Sequence, residues 1–175
     1  VRAMDLQAIA DTTTLETLIC NWGPFSPFVA SPSWKSLRKL ELWNAVIDED
    51  SLTRLPNLEW LDVSRSDLQD FSFLAALPRL RHLDVSSTAF GDASALAACG
   101  NLESLNIHTT HLRDGLEVLK GMPLKELKFN ANEFADLSPL QHLPGLERLE
   151  VNMSEAWDRM ERILEGFPLL EALHI

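Results

Sequence analysis

Apolar and polar positions along this chain follow one short phrase, LxxLxL, in which Val, Ile, Phe or Cys can stand at the last apolar place. The phrase begins at Leu15, Leu37, Leu58, Leu80, Leu102, Leu124, Leu146 and Leu170, at intervals of 22, 21, 22, 22, 22, 22 and 24 residues. Inside it, pairs such as Leu61 and Val63 or Leu83 and Val85 alternate with polar residues, which predicts a short strand with one buried face. A further apolar residue, Leu68, Phe90, Leu112 or Phe134, stands ten places after the first leucine of its unit.

An aspartate stands ten residues before the next unit at Asp5, Asp48, Asp70, Asp92, Asp114 and Asp136. A carboxylate there can accept hydrogen bonds from unpaired amides at the start of a helix, so each is expected to open a short helix or 3-10 turn. Phe71 to Leu77, Ala93 to Cys99 and Leu137 to Leu143 are the clearest cases. The longer seventh unit predicts an amphipathic helix over 154–165, with Trp157, Met160, Ile163 and Leu164 on one side. The first unit differs: Pro24, Pro27 and Pro32 stand where other units place a helix, which predicts an irregular return segment. Residues 1–14 read as part of a preceding unit or an N-terminal cap, and 15–175 as a single domain of about eight repeats.

One strand and one turn cannot bury an apolar face alone, so the units must stack, with a continuous core between an inner parallel sheet and an outer helical layer. Segments such as LPRLRHLDVSSTAF and ADLSPLQHLPGLERLEV resemble the leucine-rich-repeat family, in particular its 22-residue bacterial, internalin-like class. The resemblance runs from about Met4 to Ile175. It implies an α/β right-handed curved solenoid, with a parallel β-sheet on the concave face and short helices and 3-10 turns on the convex face. The Asn that the family usually places after the strand is found only at Asn132, with Ser66, Thr88 and Thr110 at the other sites. Effector ubiquitin ligases of related architecture use repeats resembling 20-residue units and a catalytic cysteine domain, neither of which is visible here.

Composition narrows the function. The chain has 175 residues, of which 46% are hydrophobic, enough for a substantial core. Its 26 acidic and 15 basic residues give a net charge of −11, which repels nucleic-acid phosphates and anionic lipid and favours a neutral or basic protein partner. No apolar run approaches the roughly 20 residues that span a bilayer, and no basic region leads into an apolar one at the amino terminus. Cys20 and Cys99 fall at core positions of the repeat and read as free thiols, which suits a reducing, cytoplasmic compartment; a secreted effector acting in a host cell is the alternative.

In the family frame the third, fifth, seventh and eighth positions of each unit face the concave surface. The fifth-position column is Ile19, Glu41, Asp62, Asp84, Asn106, Lys128, Glu150 and His174, and it sets three carboxylates side by side. Beside them stand Trp22, Trp43, Trp60, His82 and His108. Exposed tryptophan next to charge is typical of binding hot spots. Trp22, Glu41, Trp43, Trp60, Asp62, His82, Asp84 and His108 are therefore the expected partner-binding residues, for a protein offering a Lys or Arg and an apolar anchor. The competing reading is that the acids are solvated and the tryptophans only cover the sheet. Trp34, in a slot filled elsewhere by Leu55, Leu77 and Cys99, is expected in the core, and Trp157 is expected to pack the carboxy-terminal helix.

Catalysis and metal binding find little support. His82, Asp84 and His108 could approach one another, but there is no HExxH, no CxxC pair, no phosphate-binding glycine motif and no GxSxG turn. The expectation is a non-enzymatic protein-binding module without a cofactor. The alternatives are a recognition or spacer domain of a longer bacterial effector or enzyme, or an immunity-type inhibitor.

Overall fold

The computed structural model describes residues 9–21, 28–153 and 157–175. Eight strands form one parallel sheet in sequence order: Thr17–Asn21 (β1), Lys39–Trp43 (β2), Trp60–Asp62 (β3), His82–Asp84 (β4), Ser104–Asn106 (β5), Glu126–Asn130 (β6), Arg148–Asn152 (β7) and Ala172–His174 (β8). The register is that of the repeat, Leu40 opposite Leu61, Leu61 opposite Leu83, and so on to Leu149 opposite Leu173. The leucines that begin each unit from Leu37 to Leu146 and the strand leucines from Leu40 to Leu149 are buried, as are Leu68, Phe90, Leu112 and Phe134. The chain is a curved leucine-rich-repeat solenoid with its sheet on the concave side.

The convex side returns through short segments: an α-helix at Glu49–Leu52 (α1), then 3-10 turns at Ser72–Ala76, Ala93–Ala98, Leu116–Leu119 and Ser138–His142. A 3-10 turn advances about 2.0 Å per residue against 1.5 Å for an α-helix. It therefore covers the return with the few residues that a 22-residue unit leaves over. The unit with 24 residues accommodates a two-turn helix instead, Trp157–Leu164 (α2), whose Met160 and Ile163 are buried. In the first unit, residues 28–38 form turns without a helix, and Phe28 joins Val46 and Asp48 by backbone hydrogen bonds of 2.7 and 2.8 Å. Pro24 and Pro27 lie outside the described residues.

The aspartate series divides. Asp70, Asp92 and Asp136 each accept the backbone N–H two residues on, from Ser72, Ser94 and Ser138, at 2.8–2.9 Å. These hydrogen bonds from serine hold the Asp92 and Asp136 carboxyls below their usual range. Asp48 and Asp114 do not cap in this way: α1 has no side-chain cap, and the Leu116–Leu119 turn is entered from Gly115 in the left-handed region at φ +79°. The capping aspartates share an Asp-x-Ser sequence, whereas Asp48 is followed two residues later by the like charge of Asp50, and Asp114 by Leu116. Asp5 lies outside the described residues.

The small polar residues after each strand close the core from the loop side. Ser66 donates to the Leu42 carbonyl at 2.8 Å and accepts the Ala45 N–H, while Thr88 and Thr110 donate to the Val85 and Ile107 carbonyls. All three are buried, and their hydrogen bonds offset the cost of burying them. Trp34 is 1% exposed, with its indole N–H given to the Ile9 carbonyl at 2.9 Å, as a core position requires. Cys20 and Cys99 are free and buried, and burial pushes both thiols up to about 11.

Candidate functional site

Strand register turns each repeat position into a column across the concave face. The third-position column aligns Lys39, Trp60, His82, Ser104, Glu126 and Arg148. Its first three members stack. The Lys39 ammonium lies 4.4 Å from the Trp60 ring centroid, and the His82 ring stacks on Trp60 at 4.3 Å with 28° between planes. Trp60 is held between its strand neighbours and remains 36% exposed. Trp43 is 42% exposed, with the Arg65 guanidinium 5.6 Å from its ring. Burial lowers the pKa of His82, against the pull of Glu103, so the imidazole is neutral at neutral pH.

The fifth-position carboxylates have a structural duty that was not expected of them. Asp62 Oδ1 accepts the Ser64 N–H at 2.9 Å, Asp84 Oδ1 the Ser86 N–H at 2.8 Å, and Asn106 Oδ1 the His108 N–H at 3.1 Å. These bonds precede Arg65, Ser87 and Thr109, which take left-handed φ values of 56–57° without being glycine. Such a backbone needs support, and in these three units the fifth-position side chain provides it, whereas before Asn44, at φ 55°, Glu41 pairs with Lys39 instead. The signal was in the sequence: Asp62-x-Ser64 and Asp84-x-Ser86 repeat the Asp-x-Ser of the convex caps. Charge is also shared out. Glu41 pairs with Lys39 at 2.8 Å, and Asp84 Oδ2 accepts from the Asn106 amide at 2.8 Å, while Asp62 Oδ2 has no partner among the described residues.

Trp60, Asp62, His82 and Asp84 come together around a shallow hollow of about 190 Å³ that spans β3 to β6. Glu41 joins them through Lys39, and Trp43 stands at the end of β2. His108 does not join them. Its Nδ1 lies 2.8 Å from Thr109 Oγ1, and it lines a separate depression of about 360 Å³ with Glu150 and His174. Ser64 is buried, so the seventh-position serines do not form an exposed row. Trp22 lies outside the described residues. Among the described residues no group of three or more His, Cys, Asp or Glu converges as metal ligands would, and no helix is long and apolar enough to cross a membrane.

The far half of the face is ionic. Lys128 lies 3.0 Å from Glu150 and 3.6 Å from Glu126, and Arg148 lies 4.0 Å from Glu126. The hydrogen bond with Glu150 raises the Lys128 pKa. A second charged column, at the second repeat position, was missed. Glu16, Arg38, Glu59, Arg81, Glu103, Lys125, Glu147 and Glu171 follow one another along the sheet edge, each linked to the next by a backbone hydrogen bond, with signs that alternate as far as Glu147. Arg38 pairs with Glu59, and Arg81 and Lys125 both pair with Glu103, which lowers the Glu103 pKa. Its signal is the charge that follows each opening leucine.

No family model matches the sequence, and no curated protein matches it. Solved structures do. An internalin (inlF) from Listeria monocytogenes superposes with a TM-score of 0.73 at 23% identity, over 95% of this chain and 48% of that one. Internalin C2 from the same organism gives 0.68 at 23% identity, over 95% of this chain and 82% of that one. The chain thus spans about half the length of the first, and the likeness is one of fold.

Proposed function

We propose that this solenoid is a non-enzymatic protein-binding module, and that its partner docks on the concave face over β2 to β4. The observation that carries the reading is the meeting of exposed Trp43 and Trp60 with Asp62, Asp84 and His82 on one sheet. Aromatic area held beside charge on a preformed scaffold is the composition of an interface hot spot. The acidic surplus favours a partner segment with a basic side chain and an apolar anchor. The internalin-like fold supports a protein-interaction role in general. The free, buried cysteines support a reducing compartment, a bacterial cytoplasm or the interior of a host cell reached by export.

A second reading makes the solenoid the recognition part of a longer protein, which fits a neighbour whose length it spans only by 48%. The two share the same binding face. The test is affinity capture from lysate of the source organism, comparing the native chain with Trp60→Ala, Asp62→Asn, Asp84→Asn. Asn retains the acceptor oxygen that supports each turn and removes the charge; at 84 it also sets an amide N–H against the Asn106 donor, so melting temperature is measured for each variant and the single Asp62→Asn chain, expected to match the native one, is compared alongside. A protein held by the native chain and lost by the variant is the expected result; equal capture by both would move the site elsewhere.

A further inference from the structure

The third-position column is a stack that stops one layer short. Strands lie about 4.8 Å apart, and the centroid distances of 4.4 and 4.3 Å from Lys39 to Trp60 and from Trp60 to His82 put one side chain in each layer. The next residue, Ser104, has no plane to continue the stack, and its hydroxyl turns to Glu126 Oε2 at 3.2 Å. The hollow of about 190 Å³ opens here. His82, stacked on Trp60 by one face, turns its other face toward β5; Asp84 and Asn106 line the floor and Glu126 the far side.

We propose that this layer receives the guanidinium of an arginine from the partner protein, stacked on His82 above Ser104. The inference rests on the binding face assigned above and specifies its central contact. Three properties select arginine. Its group is flat and fits one layer of a stack. It is a cation, and the hollow is bordered by Asp62 and Asp84, which have no cationic partner among the described residues, and by Glu126, which already meets Lys128 and Arg148. Its donors lie in its plane, where they can reach carboxylates on either side while the ring face is occupied. A lysine ammonium meets the charge but offers no plane. A neutral ring would stack and leave the carboxylates desolvated without donors. The neutral imidazole presents a π face rather than a competing charge.

The experiment titrates N-acetyl-arginine methylamide and N-acetyl-lysine methylamide into the full chain and follows the His82 ring and Trp60 indole resonances by NMR. The expected result is a saturable shift at His82 with the arginine probe, and several-fold weaker binding of the lysine probe. Ser104→Trp, whose ring fills the layer, should abolish the shift, and Ser104→Ala should preserve it. Should Ser104→Trp fail to fold, His82→Leu supplies the same test read at Trp60, since loss of the flat polarisable face should erase the preference for arginine over lysine. Equal response to both probes, or a response unchanged in these variants, overturns the assignment. Partner capture that depends on Asp62 and Asp84 while the arginine probe leaves His82 unmoved would overturn this contact and leave the proposed binding face standing.

Discussion

The two halves of the concave face are built on one backbone and use charge in opposite ways. Over β6 and β7, Lys128 and Arg148 stand among Glu126 and Glu150, and the charges satisfy one another within the sheet. Over β2 to β4, the one comparable pair among the described residues is Lys39 with Glu41, and the rest is aromatic surface beside Asp62 and Asp84, which have no cationic partner there. A surface that has neutralised itself gains little from a partner, because each new contact must first break an existing one. The difference teaches that position in the repeat grants exposure, and neighbouring columns decide whether exposure is available for binding.

If the halves differ only at their surface, their cores must respond alike. Leu61→Ala in β3 and Leu127→Ala in β6 both empty a fully buried site and should each cost about 3 kcal/mol in urea unfolding. A large gap between them would show that the halves are not equivalent below the surface. The surface should then separate them. Asp84→Asn is expected to weaken partner binding roughly tenfold, about 1.4 kcal/mol, while Glu150→Gln leaves the affinity unchanged by calorimetry; the reverse order would place the partner over β6 and β7.

The ionic half can be made to resemble the other. Lys128→Ala releases Glu150 and leaves Glu126 to Arg148 alone, and the expected outcome is faster, more salt-sensitive association with a basic partner, with a stability change within about 1 kcal/mol. Stopped-flow mixing at two salt concentrations checks it. The smallest effect is from protons. Burial lowers the pKa of His82 in the folded chain from 6.5, so the unfolded chain takes up this proton first. As pH falls through 6.5 toward the folded value, stability should therefore decline. Comparing urea unfolding at about pH 7.5 and about pH 5.5 in the native chain and in His82→Asn isolates the contribution, because the variant loses that part of the slope.

Most of the fold was legible because the repeat writes it eight times. The strands at Leu61 and Leu83, the core place of Trp34 and the buried thiols all follow from register alone. The caps were legible in part: an aspartate in frame was read as sufficient, and the structure shows that Ser72, Ser94 and Ser138 complete the motif where Asp50 and Leu116 do not. The site was harder to read, since a column places residues beside one another without saying which neighbour each will choose. Asp62 and Asp84 were seen as charges and not as supports for Arg65 and Ser87. His108 was grouped with His82 although its own neighbours, Thr109 and Glu150, lie on another part of the face.

The charged column along the sheet edge carries a rule about repeat number. The fold repeats with every unit, but the alternation from Glu16 through Arg38, Glu59, Arg81, Glu103 and Lys125 to Glu147 repeats with every second one, and it ends where Glu171 follows Glu147. Removal of one unit, residues 80–101, would set Glu59 beside Glu103. Like charges on neighbouring strands repel. Removal of two, residues 58–101, would set Arg38 beside Glu103 and keep the order of signs. From Glu16 to Glu147 parity is thus written into one edge of a structure whose core is indifferent to it, and units inserted or removed within that stretch should come in pairs.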